Sequence, residues 1–536
     1  MYGLRFEEQP EIVASDPNRA DIACFVGYVA RRTAAGGSPQ PLPPTVASWL
    51  VERGWLAPGS LESDLRQVPT PIDTWEVFDR LFAWEARPLA AEGVAVPVTA
   101  LSRTIPTYLG AAVRTFFAQG GRKCYVVAVA DPWPYLEEPI TEGERETRMR
   151  ARLAPLLPGY RGGMIEGSPV DGRGAGVPPG PPGPSGWHGI AHLLGLEDVA
   201  LVCLPDLPDI LRTQTARIRT EVEPPPPPGV FVECSANEPA PPLDNAPRRV
   251  QAPRCDARGY AEWALALQAA GAFLGAYART AHLIVALPAP EEGGAHESDP
   301  LLTLMDGEGL PLARTPGATP PGCGSAFVQA VFPWVRTGAS TGLPEGLECP
   351  DGVLAGMLAR SALVRGSFVT IAGQRPLDVY DLLPALHRRQ IEDLRERISL
   401  LAPSVNGLRL LSDVTLSASI PHRQAAGGRL TASLLRAARL LGEGLSFEVA
   451  SESLWRQVSD NLTLLLEQFR AAGALRGATA EEAYQVRCDR STMTQNDIDN
   501  GRVIAEVRFD PAATIDAITV VLTLHEGGQA TLQDSR

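Results

Sequence analysis

The sequence predicts an α/β protein, and three observations predict it. Short apolar, β-branched runs recur along the chain: KCYVVAVAD (123–131), VALVCL (199–204) and HLIVAL (282–287). Each follows a segment with helical spacing, and repeated helix-to-strand units imply a mostly parallel sheet carrying helices. The chain then ends in three strand-like segments, 484–489, 502–510 and 515–525. An α+β part with terminal strands is therefore expected beside the α/β layer.

Composition bounds what such a fold can be. The 536 residues are enough for three or four domains, or fewer large ones. Hydrophobic residues make 44% and charged residues 21%, which excludes wholesale disorder. The 51 glycines and 50 prolines are clustered, so they mark long loops around ordinary cores. The net charge is −14 and no Lys/Arg block stands out, which argues against nucleic acid as a partner. No run reaches the ~18 uninterrupted apolar residues of a membrane helix. The first 21 residues have no apolar signal core, so direct membrane insertion and a secretion signal are not expected. Eight cysteines occur without a C-x-x-C pair, which reads as reduced, partly buried thiols.

The elements follow in order. Residues 1–19 are polar and extended, with alternation at Tyr2, Leu4 and Phe6. DIACFVGYV (21–29) reads as a buried strand, and 34–72 as loop. Thr104 and Pro106 open a helix that Gly120 and Gly121 close. Residues 158–186 and 223–229 are Pro/Gly spacers. Helices are expected over 188–195 and 259–279, and a strand over 326–335. A charged helix is expected over 380–400, a strand over 408–417 and a helix over 430–442. Helix 454–472 is strongly amphipathic: Leu454, Trp455, Val458, Leu462, Leu465, Leu466 and Phe469 form one stripe. Its other face carries Arg456, Asp460, Glu467 and Arg470. Thr479 and Glu482 have capping-box spacing.

Catalytic and metal motifs fail on inspection. His188 and His192 have zinc-compatible spacing, but Gly189 stands where a metalloprotease needs Glu. In NDIDNG (496–501), Ile498 and Val507 fall at calcium-ligand positions and offer no oxygen. An Asn500–Gly501 turn between strands is the better account. GGRKC (120–124) follows a helix, whereas a phosphate loop precedes one. No G-x-S-x-G is present. Catalytic residues, cofactors and metals are accordingly not expected. An α/β enzyme with an unrecognised site stays open as an alternative.

One long segment carries a family pattern. Residues 447–511 resemble the C-terminal domain of contractile tail sheath proteins. Phe447, Glu448, Leu454 and Trp455 match its opening, with Ala450 in place of the usual Asn. Gly473, Ala474, Leu475 and Gly477 match the G-A-L-x-G turn. Glu482, Ala483, Tyr484, Val486, Cys488 and Asp489 match the following strand. Thr494, Asp497, Ile498 and Gly501 match the last turn. Residues 108–131 and 349–368 agree in order with earlier family landmarks, with CPDG where P-P-S-G is usual.

The resemblance implies a structural subunit that polymerises into a contractile helical sleeve of stacked hexamers. The sleeve surrounds an inner tube and drives it through a target envelope. It implies an N-terminal arm at 1–19 and a tube-facing domain from 20–135 and 346–510. It further implies an inserted outer α/β domain at 136–345 and a C-terminal strand or arm at 511–536. Tyr2, Leu4, Phe6, Ile518, Val520 and Leu522 would lie in intersubunit arms. Arg456, Asp460 and Glu467 would face the tube. Partners would be other copies, the tube protein, and baseplate and tail-terminator proteins. Assembly would occur in the cytoplasm as part of a phage tail-like particle, with extracellular release left open. A non-contractile shell or baseplate protein of the same fold is the other alternative.

Overall fold

The computed structural model describes residues 19–34, 36–59, 65–91, 103–137, 141–158, 160–161, 164–165, 186–220, 248–291, 324–405, 407–445, 451–512, 518–524 and 530–533. Tyr2, Leu4 and Phe6 lie outside them, as do most residues of the Pro/Gly spacers. The chain forms two compact units, one built mainly from Ala20–Ala432 and one mainly from Ser433–Asp510 with Ala517–Arg536.

The first unit is organised by one eight-stranded sheet. In chain order its elements are β1 (Ala23–Gly27), α1 (Pro44–Glu52), β2 (Thr70–Ile72), α2 (Trp75–Leu81) and α3 (Tyr108–Ala118). Next come β3 (Cys124–Ala128), α4 (Glu142–Leu153), β4 (Leu201–Cys203), α5 (Leu207–Ile210), α6 (Ala257–Tyr277), β5 (His282–Ala286) and β6 (Val328–Phe332). Then follow β7 (Trp334–Thr337), α7 (Asp351–Arg365), β8 (Val379–Leu383), α8 (Arg388–Leu394), β9 (Ser399–Ser404) and β10 (Gly407–Leu410).

The spatial order is β10-β9-β6-β5-β4-β1-β3-β2. The six strands from β9 to β3 are parallel, and β10 and β2 are antiparallel edges. A parallel sheet is covered on both faces, so its strands read as continuous apolar runs. Period-two alternation sorts them: Cys24, Val26, Tyr125 and Val127 join one core cluster, with Trp263 and Leu267 of α6. Ala23, Phe25, Cys124 and Val126 join the other, with Phe116 of α3 and Met357 of α7.

The second unit contains α10 (Glu452–Ala471), α11 (Ala480–Ala483), β11 (Tyr484–Arg487), α12 (Gln495–Asp499), β12 (Val503–Phe509), β13 (Ile518–Leu524) and β14 (Ala530–Gln533). The helix α9 (Ala425–Leu445) precedes α10 in the chain. The four strands form an antiparallel sheet in sequence order. Every residue of the expected α10 stripe is buried. On β12, Val503, Ala505, Val507 and Phe509 are buried and alternate with more exposed positions.

Several expectations need correction. The strands of the expected inner domain (20–135 and 346–510) and of the expected insertion (136–345) do not separate. Both sets hydrogen-bond into the one eight-stranded sheet, because β1 pairs β3 on one side and β4 on the other. Residues 34–72 contain α1, with Pro44 at its first turn, where a missing N–H costs nothing. Thr107, not Thr104, caps α3: its Oγ1 accepts from Gly110 N at 3.1 Å. Residues 380–400 are β8, the seven-residue α8 and the start of β9, not one helix. Pro384 follows β8 directly and cannot continue its ladder. Residues 188–195 form a 3₁₀ helix (Gly189–Gly195). Only half of the expected box closes: Thr479 accepts from Glu482 N, while the Glu482 carboxylate accepts from Ala478 N. At 496–501 the structure has the one-turn α12, capped by Thr494, in place of a simple turn.

Candidate functional site

In the first unit the crossing order reverses between β1 and β4. An open parallel sheet offers its ligand crevice there, beyond the carboxyl ends of the strands. Here that place is filled by side chains. A Cβ on Gly27, the last residue of β1, would lie 2.3 Å from Asp206 Oδ2 and 2.7 Å from Leu109 Cδ1. Asp206 Oδ2 instead accepts from Tyr28 N at 2.6 Å. Burial pushes the Asp206 carboxyl up to about 7.

A buried ion network borders it. Arg87 Nη2 lies 2.8 Å from Asp209 Oδ2, with both side chains at most 2% exposed. Arg212 Nη1 reaches Asp209 Oδ1 at 3.1 Å, and its Nη2 reaches Tyr135 O at 2.7 Å. Glu137 accepts from Arg152 and, at 3.4 Å, from Arg212. Arg87 also stacks over Trp133 and Tyr135, 4.7 and 4.9 Å from their centroids. Burial alone would raise the Asp209 carboxyl, but Arg87 and Arg212 hold it below the usual range. Two further carboxyls are fully buried and, among the described residues, form no ion pair. Glu348 Oε1 accepts from Thr115 and Thr337 hydroxyls at 2.7 and 2.9 Å. Among the described residues no side-chain donor meets Asp351, and only backbone amides, those of Asp351 itself and Ala286, offset its burial. Burial pushes both up to about 8. Sequence reasoning missed all of these groups; Arg87 with Asp209, Arg212 with Tyr135 and Thr115 with Glu348 are each more than 70 positions apart.

His192 is buried, and its Nε2 meets Gln67 Oε1 at 3.2 Å. Burial lowers it to about 4, so the ring is neutral at physiological pH. Among the described residues no group of three or more His, Cys, Asp or Glu is placed to hold a metal ion. The cysteines Cys24, Cys124, Cys203, Cys255, Cys349 and Cys488 are free and buried. Among the described residues no helix is long and apolar enough to cross a membrane.

The second unit holds the other sequence candidates. Arg456 and Asp460 are exposed, one turn apart on α10, with Leu464 a further turn on and 61% exposed. Glu467 is engaged: it accepts from Arg470 Nε at 2.8 Å and from the Tyr484 hydroxyl at 3.1 Å, stapling α10 to β11. The Arg470 hydrogen bond, with Tyr484 adding to it, lowers its pKa. Ile518, Val520 and Leu522 stand opposite Phe509, Val507 and Ala505 of β12. β13 is an inner strand, between β12 and β14. The hairpin to β14 had no expectation in the sequence, because 525–529 follow the strand with Gly527–Gly528 and a short polar end.

The two-unit chain has a close match among solved structures. A chain in the contracted baseplate of the anti-feeding prophage superposes with a TM-score of 0.55 at 18% identity, covering 96% of this chain and 97% of that one. This is the fold of that baseplate chain. Two other similar structures are the helical sheath of the same particle in its contracted state (TM-score 0.47, 17% identity, 96% of each chain) and the contracted sheath complex of the extracellular contractile injection system PVC (0.48, 15%, 95% and 94%). No family model matches the sequence, and no curated protein matches it.

Proposed function

We propose that this chain is a structural subunit of a contractile, phage tail-like particle, polymerising as a sheath around an inner tube. The carrying observation is the whole-length likeness to a chain of a contracted baseplate, 96% of this chain against 97% of that one. The sheath pattern of residues 447–511 supports the same reading, since those residues build the second unit around α10 and β12. A filled crevice at the sheet's switch point favours a structural role over catalysis. Contraction needs two packings of similar energy and joints that survive the change. Residues 1–18 and the 518–533 hairpin are the candidate joints. Strand addition would tie each copy to its neighbours through backbone hydrogen bonds. The exposed Arg456–Asp460 face of α10 is the candidate tube contact, with Glu467 at its margin. Baseplate and terminator contacts, cytoplasmic assembly and later release belong to the same reading.

Negative-stain electron microscopy of the purified chain, alone and with its tube protein, tests this. Long hollow sleeves with a helical surface are expected. Rings of limited height would favour a shell protein. Compact particles in both samples would favour an enzyme and end the sheath reading.

A further inference from the structure

His192 holds a joint of the first unit with a ring placed to carry one proton and not two. It lies in the 3₁₀ helix Gly189–Gly195 and is 1% exposed. Its Nε2 meets Gln67 Oε1 at 3.2 Å, and its Nδ1 is buried without a partner among the described residues. The same Gln67 oxygen accepts from Gly189 N at 2.9 Å, while Gln67 Nε2 donates to Pro155 O at 3.3 Å. These two bonds fix which end of the amide faces the ring. Oε1 only accepts, so the ring proton sits on Nε2 and Nδ1 is a bare lone pair.

Gln67 is the hub of the joint. Its N donates to Ala128 O at 2.8 Å, so it ties together the end of β3, the turn after α4 and the 3₁₀ helix. Its φ of +54° is costly for a residue with a Cβ and persists because these bonds over-determine it. Trp55 walls the ring, its centroid 5.4 Å from that of His192 and 5.8 Å from that of Trp187. The charge that bears on the ring is His188, in its own segment, and it opposes a second positive charge there. The other nearby cations are engaged elsewhere: Arg66, beside Gln67, with Asp131; Arg152, at the end of α4, with Glu137; and Arg53, before Trp55, over Trp49. A proton on Nδ1 would therefore create a buried charge and a donor with no acceptor, which the site relieves only by opening.

We propose that His192 is an acid-released clasp: neutral, it pins the 187–196 segment to Gln67, and protonated, it frees that segment while the eight-stranded sheet stays folded. The segment directly follows the Pro/Gly spacer 158–186 in the chain, so acid would release the anchor at that spacer's end. The inference is independent of the assembly reading.

The test is amide hydrogen exchange of the full-length chain from pH 7.5 to pH 4.5, read by mass spectrometry and corrected for the intrinsic pH dependence of exchange. In wild type, opening of 187–196 should rise about twentyfold from pH 7 to pH 5, the linkage expected for a ring lowered from 6.5 to about 4, while β1 and β3 keep their protection. His192→Gln keeps a donor for Gln67 and cannot charge, so its segment should stay closed throughout. His188→Gln keeps the sensor and should still open with acid. Wild-type protection that ignores pH would overturn the clasp. So would acid opening that survives in His192→Gln or vanishes in His188→Gln, and so would loss of β1 and β3 protection together with the segment. Should His192→Gln fail to fold, wild type and His188→Gln still decide.

Discussion

Arg429 and Asp413 form a two-point ion pair inside the first unit: Nη2 to Oδ2 is 2.7 Å and Nη1 to Oδ1 is 3.0 Å. The side chains are 7% and 1% exposed. Gln329 Nε2, Thr370 Oγ1 and Ile371 N supply the carboxylate's remaining donors, and Arg429 Nε donates to Ser367 O. The pair therefore ties the start of α9 to β6, to the segment after α7 and to the segment after β10. Halving such a pair leaves a buried charge uncompensated, at a cost of about 3–5 kcal/mol. Arg429→Met should lose that much in urea unfolding. Arg429→Met with Asp413→Leu should lose less than the two single variants summed. Full additivity would show that the pair is not coupled.

Glu348 and Asp351 set the direction of a pH dependence. Both are buried carboxyls raised to about 8. Thr115, Thr337, Asp378 and Arg114 surround Glu348, while Cys203, Cys349 and Asp206 face Asp351. A carboxyl raised on folding stabilises fully below its unfolded value of about 4, and that stability is lost as pH rises toward the folded value. Between these limits each such group should lower stability by roughly 1 kcal/mol per pH unit. Glu348→Gln cannot ionise. The stability difference, variant minus wild type, should therefore grow from pH 5 to pH 8 and then level. His192 acts at the opposite end: burial lowers it to about 4, so it withdraws stability as pH falls below its unfolded value of about 6.5. A variant-minus-wild-type difference for Glu348→Gln that stays flat with pH would mean this carboxyl is already ionised in the fold.

Gly352 sits at a close approach of α7 to α3. A Cβ there would lie 2.2 Å from Ala112 O, a backbone atom that cannot turn aside. Gly352→Ala should improve helix propensity and still destabilise, by about 1–3 kcal/mol from overpacking. A differential scanning melt decides the sign. A raised Tm would show that the helices separate at little cost.

Local signals were legible where burial repeats at a short period. The run FVG in β1 and VVA in β3 could be read because both sheet faces are covered, and the α10 stripe because one side of a helix is. The fold class followed from these. What stayed hidden depends on distant partners. Thr107 outcompetes Thr104 as a cap because Thr104 is held in a two-residue ladder opposite Pro88. The apolar positions of 380–400 suit a helix locally, but β8 is claimed by β7 and β9 by β6. Of the candidate site, the exposure of Arg456 and Asp460 was readable from the stripe's opposite face. The engagement of Glu467 by Tyr484 was not, since it needs the packing of β11 on α10. The Arg87–Asp209 pair spans 122 positions, and no spacing rule reaches that far.

The two ends of the chain should fail differently when removed. β13 pairs with β12 at seven successive positions, from Val503 opposite Leu524 to Phe509 opposite Ile518. Deleting residues 513–536 strips that ladder and leaves a seven-residue edge with four buried apolar residues, an invitation to non-specific pairing. That truncation should lower the melting temperature and give disordered aggregates in light scattering. Deleting residues 1–18 should leave a folded, soluble chain that forms no sleeves. Replacing Tyr2, Leu4 and Phe6 together by Ser should reproduce this loss, because period-two apolar residues are what a strand-adding arm lays against its acceptor. Intact sleeves from either N-terminal variant would remove the arm role from these residues and leave the terminal hairpin as the joint.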